Sequence, residues 1–127
     1  MQPLIAEVLA SENINGDSYF IAVLDGEKCP KFKSFLEQIG YAFEFPDYYS
    51  RNMNSLDECI NDLDWLNKPN YLLIIKNSKS FLNSEPETLR NEILAFLSGV
   101  SKEWANVPNF KSEELHRSKA DFRIVFR

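Results

Sequence analysis

A chain of 127 residues, 44% apolar and 13% aromatic, is long enough to build one domain around one sizeable core and does not need a second. Nineteen acidic residues against fourteen basic ones leave a formal charge of -5, which argues against direct binding of nucleic acid through phosphate contacts. Glu7 breaks the early apolar run, and no stretch is long enough to span a bilayer, so neither a signal peptide nor a membrane anchor is expected. Cys29 and Cys59 lack a CxxC spacing and read as free thiols of a reducing cytoplasm.

Residues 1–18 differ in composition from the rest and read as an N-terminal extension: an edge strand, a helix or a loose arm. The domain proper is expected over residues 19–127. Its first element is the apolar run YFIAVL at 19–24, followed by Asp25-Gly26, the pattern of a buried strand ending in a turn. A helix follows. Pro30 suits its first turn, Phe32, Phe35, Leu36 and Ile39 recur at helical spacing, and Gly40 is placed to end it.

Beyond the connection YAFEFPDYY, Leu56, Cys59, Ile60, Leu63 and Leu66 mark a second helix, for which Asn52, Asn54 and Ser55 are candidate caps. Ser55 with Glu58 has the spacing of a capping box. Pro69 and Asn70 stop the pattern, and YLLII at 71–75 reads as a second buried strand. Ser84, Pro86 and Glu87 open a long helix with Leu89, Ile93, Phe96, Leu97, Val100 and Trp104 on its buried side and Gly99 as a weak position. The polar segment 106–120 has no clear period, and FRIVF at 122–126 is a last strand. Strands alternating with helices predict an α/β fold, a small three-stranded parallel sheet packed with helices.

The charge is unevenly placed. Residues 34–67 hold seven acids (Glu37, Glu44, Asp47, Asp57, Glu58, Asp62 and Asp64) and one base, Arg51, a net of -6; the rest, with twelve acids and thirteen bases, is +1. With Leu56, Cys59, Ile60 and Leu63 turned inward, Asn54, Asp57, Glu58, Asn61 and Asp62 fall on the outer side of the second helix. A purely structural explanation exists for Asp57 and Glu58: taken as first-turn residues, they gain roughly 0.3 to 1 kcal/mol each from the helix dipole. It does not extend to Asp62 and Asp64, which lie towards the other end. Tyr48 and Tyr49 precede this helix; one ring is expected in the core and the other exposed, where tyrosine commonly anchors a protein interface.

Pro46, Tyr48, Tyr49, Asn52, Leu56, Glu58 and Cys59, within PDYYSRNMNSLDECI, resemble the motif of the barstar family, intracellular inhibitors of ribonucleases, and the order of elements over 19–127 is similar to that family's. The resemblance implies a barstar-like fold and a cytoplasmic protein that binds a basic ribonuclease before it destroys the producer's own RNA. Tyr48, Tyr49, Asn52, Asn54, Asp57, Glu58 and Asp62 are then the partner-binding residues, with carboxylates taking places prepared for RNA phosphates. An acidic face also steers a cationic partner over long range, an effect well known from barnase and barstar themselves. The family pattern has glycine at Ser50, aspartate at Asn54, tryptophan at Asp57 and aspartate at Glu58. These departures point to a cognate enzyme other than barnase.

Two further readings stand beside this one. A barstar-like interaction module whose partner is not a nuclease is compatible with the changes at Asn54 and Asp57. An enzyme using Asp25 with Asp57 or Asp62 belongs to a different class. Against it, His116 is the one histidine, and there is no phosphate-binding glycine loop, no metal-spaced His or Cys set and no nucleophile paired with a base. The expectation is therefore a protein without catalytic activity, cofactor or metal, monomeric when free.

Overall fold

A computed structural model describes residues 2–127. Strands β1 (Tyr19–Asp25), β2 (Asn70–Lys76) and β3 (Phe122–Phe126) form one parallel sheet in the order β1-β2-β3, with helices α1 (Pro3–Ser11), α2 (Phe32–Ala42), α3 (Met53–Ile60) and α4 (Glu87–Ala105) around it. The fold is α/β, as the alternation of elements predicts. Tyr71 stands opposite Phe20 on one side and Phe122 on the other, so the register puts large rings in one row across the sheet.

The strands are apolar on both sides because both faces are covered. Ala22, Leu24, Tyr71, Leu73, Ile75 and Phe122 face the main core, which α2, α3 and α4 close with Phe35, Ile39, Leu56, Ile60, Ile93 and Trp104. Phe43 stacks on Phe122 with ring centroids 5.7 Å apart, and Phe35 meets Phe81 edge-on at 5.5 Å. The alternate residues Leu72, Ile74 and Val125 face the other way and pack with Val8 of α1. The leading segment is therefore a helix lying on the sheet. Its polar edge is tied down by Arg127 Nε, which donates to Glu7, and by Arg123 Nη1, 3.1 Å from the Glu12 carbonyl.

Several local expectations are corrected. Helix α2 starts at Phe32, beyond Pro30, and passes through Gly40 to Ala42. Gly40 is there for a neighbour: a Cβ at this position would lie 2.8 Å from the Tyr49 ring. Helix α3 ends at Ile60; the chain then turns through Leu63 at φ 54, which keeps Leu63 buried while leaving Asp62 and Asp64 outside the helix. Asn52 is its cap, with Oδ1 accepting the Ser55 N–H at 2.8 Å, whereas Ser55 Oγ accepts from Ser50 N–H instead of boxing with Glu58. The Ser84–Glu87 box is likewise not used, since α4 begins at Glu87 with Pro86 before it and no side-chain cap. Leu89 and Phe96 are only half-buried, while Ile93, Leu97, Val100 and Trp104 are buried as the spacing predicts.

Candidate functional site

The segment 46–62 sets an exposed tyrosine beside an acidic helix face. Tyr49 turns inward, where its ring meets Phe45 edge-on at 4.8 Å and its hydroxyl donates to the Leu36 carbonyl at 2.7 Å. That leaves Tyr48 outside, 55% exposed. Ser50, where the family motif has glycine, does not need glycine's freedom: the left-handed residue is the next one, Arg51, at φ 54.

Helix α3 buries Leu56, Cys59 and Ile60 and presents Asn54, Asp57, Glu58 and Asn61 at helical spacing on the opposite side, the first three exposed. Asp57 and Glu58 are not first-turn residues. With Asn52 as cap they fall in the C-terminal half of a short helix, where the backbone dipole disfavours carboxylates. Asp57 accepts from Asn61 Nδ2 at 2.8 Å, and among the described residues Asp57, Glu58, Asp62 and Asp64 are in no ion pair. Partial burial, then the Cys59 thiol, Asp62 and Glu58, raise the Tyr48 hydroxyl above its ordinary 10.0, so Tyr48 stays a neutral donor next to these carboxylates.

Of the seven residues expected at the site, Tyr48, Asn54, Asp57, Glu58 and Asp62 are exposed on this surface. Tyr49 and Asn52 hold it in shape through the bonds described above. Cys59 lies beneath, buried and free, with burial the first cause of its raised thiol pKa. Cys29 is also free, and burial pushes it to about 11.

Sequence reasoning missed the wall opposite α3. The polar segment 106–120 is folded against the end of that helix by Arg117. Its Nε lies 2.8 Å from Glu113, its Nη1 3.0 and 3.1 Å from the side chain and carbonyl of Asn61, and its guanidinium 4.5 Å over the Trp104 ring. Trp104 Nε1 in turn donates to the Ile60 carbonyl at 3.1 Å. Glu113 is 3% exposed, and the Asn109 backbone N–H, then Arg117, hold its carboxyl below the ordinary range against the opposing effect of burial. The Glu113–Arg117 spacing of four was the available signal.

Asp25 is committed to local structure, its Oδ1 accepting from Glu27 N–H and Asn77 Nδ2, and it does not line the clefts beside Asp57 and Asp62. No group of three or more His, Cys, Asp or Glu among the described residues is arranged to hold a metal ion, and no helix among them is long and apolar enough to cross a membrane.

Comparison with individually curated proteins finds no match. The family model described as Barstar (barnase inhibitor) matches residues 19–127, from the first residue of β1 to the end of the chain. The match includes the whole of the Tyr48–Asp62 surface, and with it covering most of the sequence, the chain belongs to the barstar family.

Proposed function

We propose that this protein is a cytoplasmic inhibitor, an immunity protein or antitoxin, that binds a basic ribonuclease and blocks its active site with the face that presents Tyr48, Asn54, Asp57, Glu58 and Asp62 and that Tyr49 and Asn52 hold in shape. The observation that carries the reading is that, among the described residues, Asp57, Glu58 and Asp62 are in no ion pair, although the helix dipole opposes the first two. A ribonuclease cleft must be cationic to hold RNA, so an anionic face attracts it at a distance and competes for the groups that bind phosphate. Two opposite charges 4 Å apart attract by about 1 kcal/mol in water and about 4 kcal/mol at the effective dielectric of a protein surface. Covering the face in the complex therefore strengthens each pairing, against the cost of taking both charges out of water.

The same surface restricts the partner. Glu58 is one methylene longer than aspartate, Asn54 accepts hydrogen bonds without charge, and Asp57 offers a carboxylate in place of an aromatic contact. An enzyme with a further basic group opposite Asp57 fits better than barnase. The changes at Asn54 and Asp57 also support a second reading, a barstar-like module whose partner is not a nuclease.

The test mixes the protein with a panel of basic microbial ribonucleases, barnase included, and follows RNA cleavage at low and high ionic strength. Stoichiometric inhibition that weakens with salt supports the proposal. Failure to inhibit any of them, with a non-nuclease recovered on the α3 face, favours the second reading.

A further inference from the structure

We infer that the connection between α4 and β3 forms a second wall of the partner-binding surface, so that a basic side chain of the ribonuclease, arginine or lysine, is held between α3 and this connection. The inference rests on the proposed function, since it names a further part of the same docking face. Its starting point is a cleft of about 820 Å³ with Asp57, Glu58 and Asp62 on one side and Glu103, Phe110 and Glu113 on the other.

The charges in the cleft do not cancel. Arg117 is its one guanidinium among the described residues, and that group is taken up by Glu113 at 2.7 Å, by Asn61 and by the Trp104 ring. Glu103, 54% exposed at its side chain, reaches only the edge of Arg117 at 3.6 Å. Asp57, Glu58 and Asp62 are in no ion pair among the described residues. Even with His116, which also lines the cleft, counted as a cation beside Arg117, the carboxylates of Asp57, Glu58, Asp62, Glu103 and Glu113 outnumber the cations, and the cleft keeps a net negative charge that suits a cation from outside.

Phe110 is the second observation, independent of the acids. Its ring is 63% exposed in a segment of polar residues and lines the same cleft. The segment carrying it is held in place: Glu113 accepts from Asn109 Nδ2 at 3.0 Å as well as from Arg117, and Asn109 Nδ2 also lies 2.9 Å from the Glu103 carbonyl. A large apolar side chain on an anchored support beside unpaired carboxylates fits the methylene stem and charged head of one long basic residue. Long connections of this kind, in a compact domain, are commonly functional.

The experiment measures binding of the panel's tightest ribonuclease to Phe110→Ala, Glu103→Gln and Glu103→Lys, with Glu58→Ala as the reference. Circular dichroism and Tm check that each variant folds, which the exposure of both side chains leads one to expect. Phe110→Ala should raise Kd at least about fivefold. Glu103→Lys should slow association at low salt more than Glu103→Gln does, with the difference fading at high salt. If Glu58→Ala weakens binding while the Phe110 and Glu103 variants stay within about twofold of the parent, the second wall is wrong and the α3 face stands. If Glu58→Ala and all three variants bind like the parent, or no ribonuclease of the panel is bound, the proposed function fails and this inference fails with it.

Discussion

Two groups of carboxylates in this protein differ in what faces them. Glu113 and Glu103 share Arg117, Asp121 and Glu12 share Arg123, and Glu7 has Arg127. Each of these pairs joins parts of the chain to one another: the α1 segment to β3 and its end, or the α4–β3 connection to itself, to α4 and to β3. Among the described residues Asp57, Glu58, Asp62 and Asp64 are in no ion pair, although they are the densest acids in the sequence. The difference separates carboxylates that tie distant parts of the chain together from carboxylates whose bonds reach no further than a neighbouring residue, Asp57 to Asn61 and Asp62 to Asp64. Removing members of the first group should change stability, and removing members of the second should change binding alone.

The largest effect expected is on binding. Glu58→Ala with Asp62→Ala should weaken the ribonuclease complex by about 2 to 5 kcal/mol, while unfolding in urea stays within about 0.5 kcal/mol of the parent. A comparable loss of folding stability would erase the distinction between the groups. Gly40→Ala sharpens it from the other side: its Cβ would press on the Tyr49 ring, and the displaced ring should lower stability by about 1 to 3 kcal/mol, read from the urea midpoint. Asn52→Ala removes the cap of α3 and should lower stability by about 1 kcal/mol with a smaller effect on binding.

Glu113 offers a test through pH. Its folded pKa lies below the ordinary 4.5, chiefly because the Asn109 N–H and then Arg117 bond the ionised form. The stability it contributes is therefore complete above 4.5 and lost as the pH falls through the lower folded value. Glu113→Gln should lower Tm at neutral pH, and the gap between variant and parent should narrow as the solution is acidified below 4.5. A gap that is constant across the acid range would mean that the carboxylate charge contributes nothing there. The smallest effect is expected at Gly99, where an added Cβ meets nothing within 4 Å. Gly99→Ala should stabilise α4 by about 0.5 to 1 kcal/mol in thermal melts and leave affinity unchanged.

Element types were legible because their signals are local. The runs at 19–24, 71–75 and 122–126 are strands, the stripes from Phe35 to Ile39 and from Ile93 to Trp104 are buried, and the motif from Pro46 to Cys59 carries the family. Helix ends were less legible, because they depend on which competing polar group reaches a free N–H. Asn52 prevailed over Asn54 and Ser55 at α3, and Pro86 left Ser84 unused at α4. Gly40 looked like a stop since glycine often ends a helix, yet its reason is a ring that arrives from Tyr49.

Sequence alone determined that one stretch holds all the surplus negative charge, that this stretch includes an amphipathic helix, and that the helix lies in the barstar motif, because charge count and helical spacing need no tertiary information. Tertiary structure decided which tyrosine faces outward, since burial depends on what else fills the space: Gly40 and the Leu36 carbonyl receive Tyr49 and leave Tyr48 in the open. It also decided that α1 covers the back of the sheet and that Arg117 brings Phe110 and Glu103 alongside α3. Those contacts join residues far apart in the chain, and no local pattern of letters encodes which distant partner a side chain will meet.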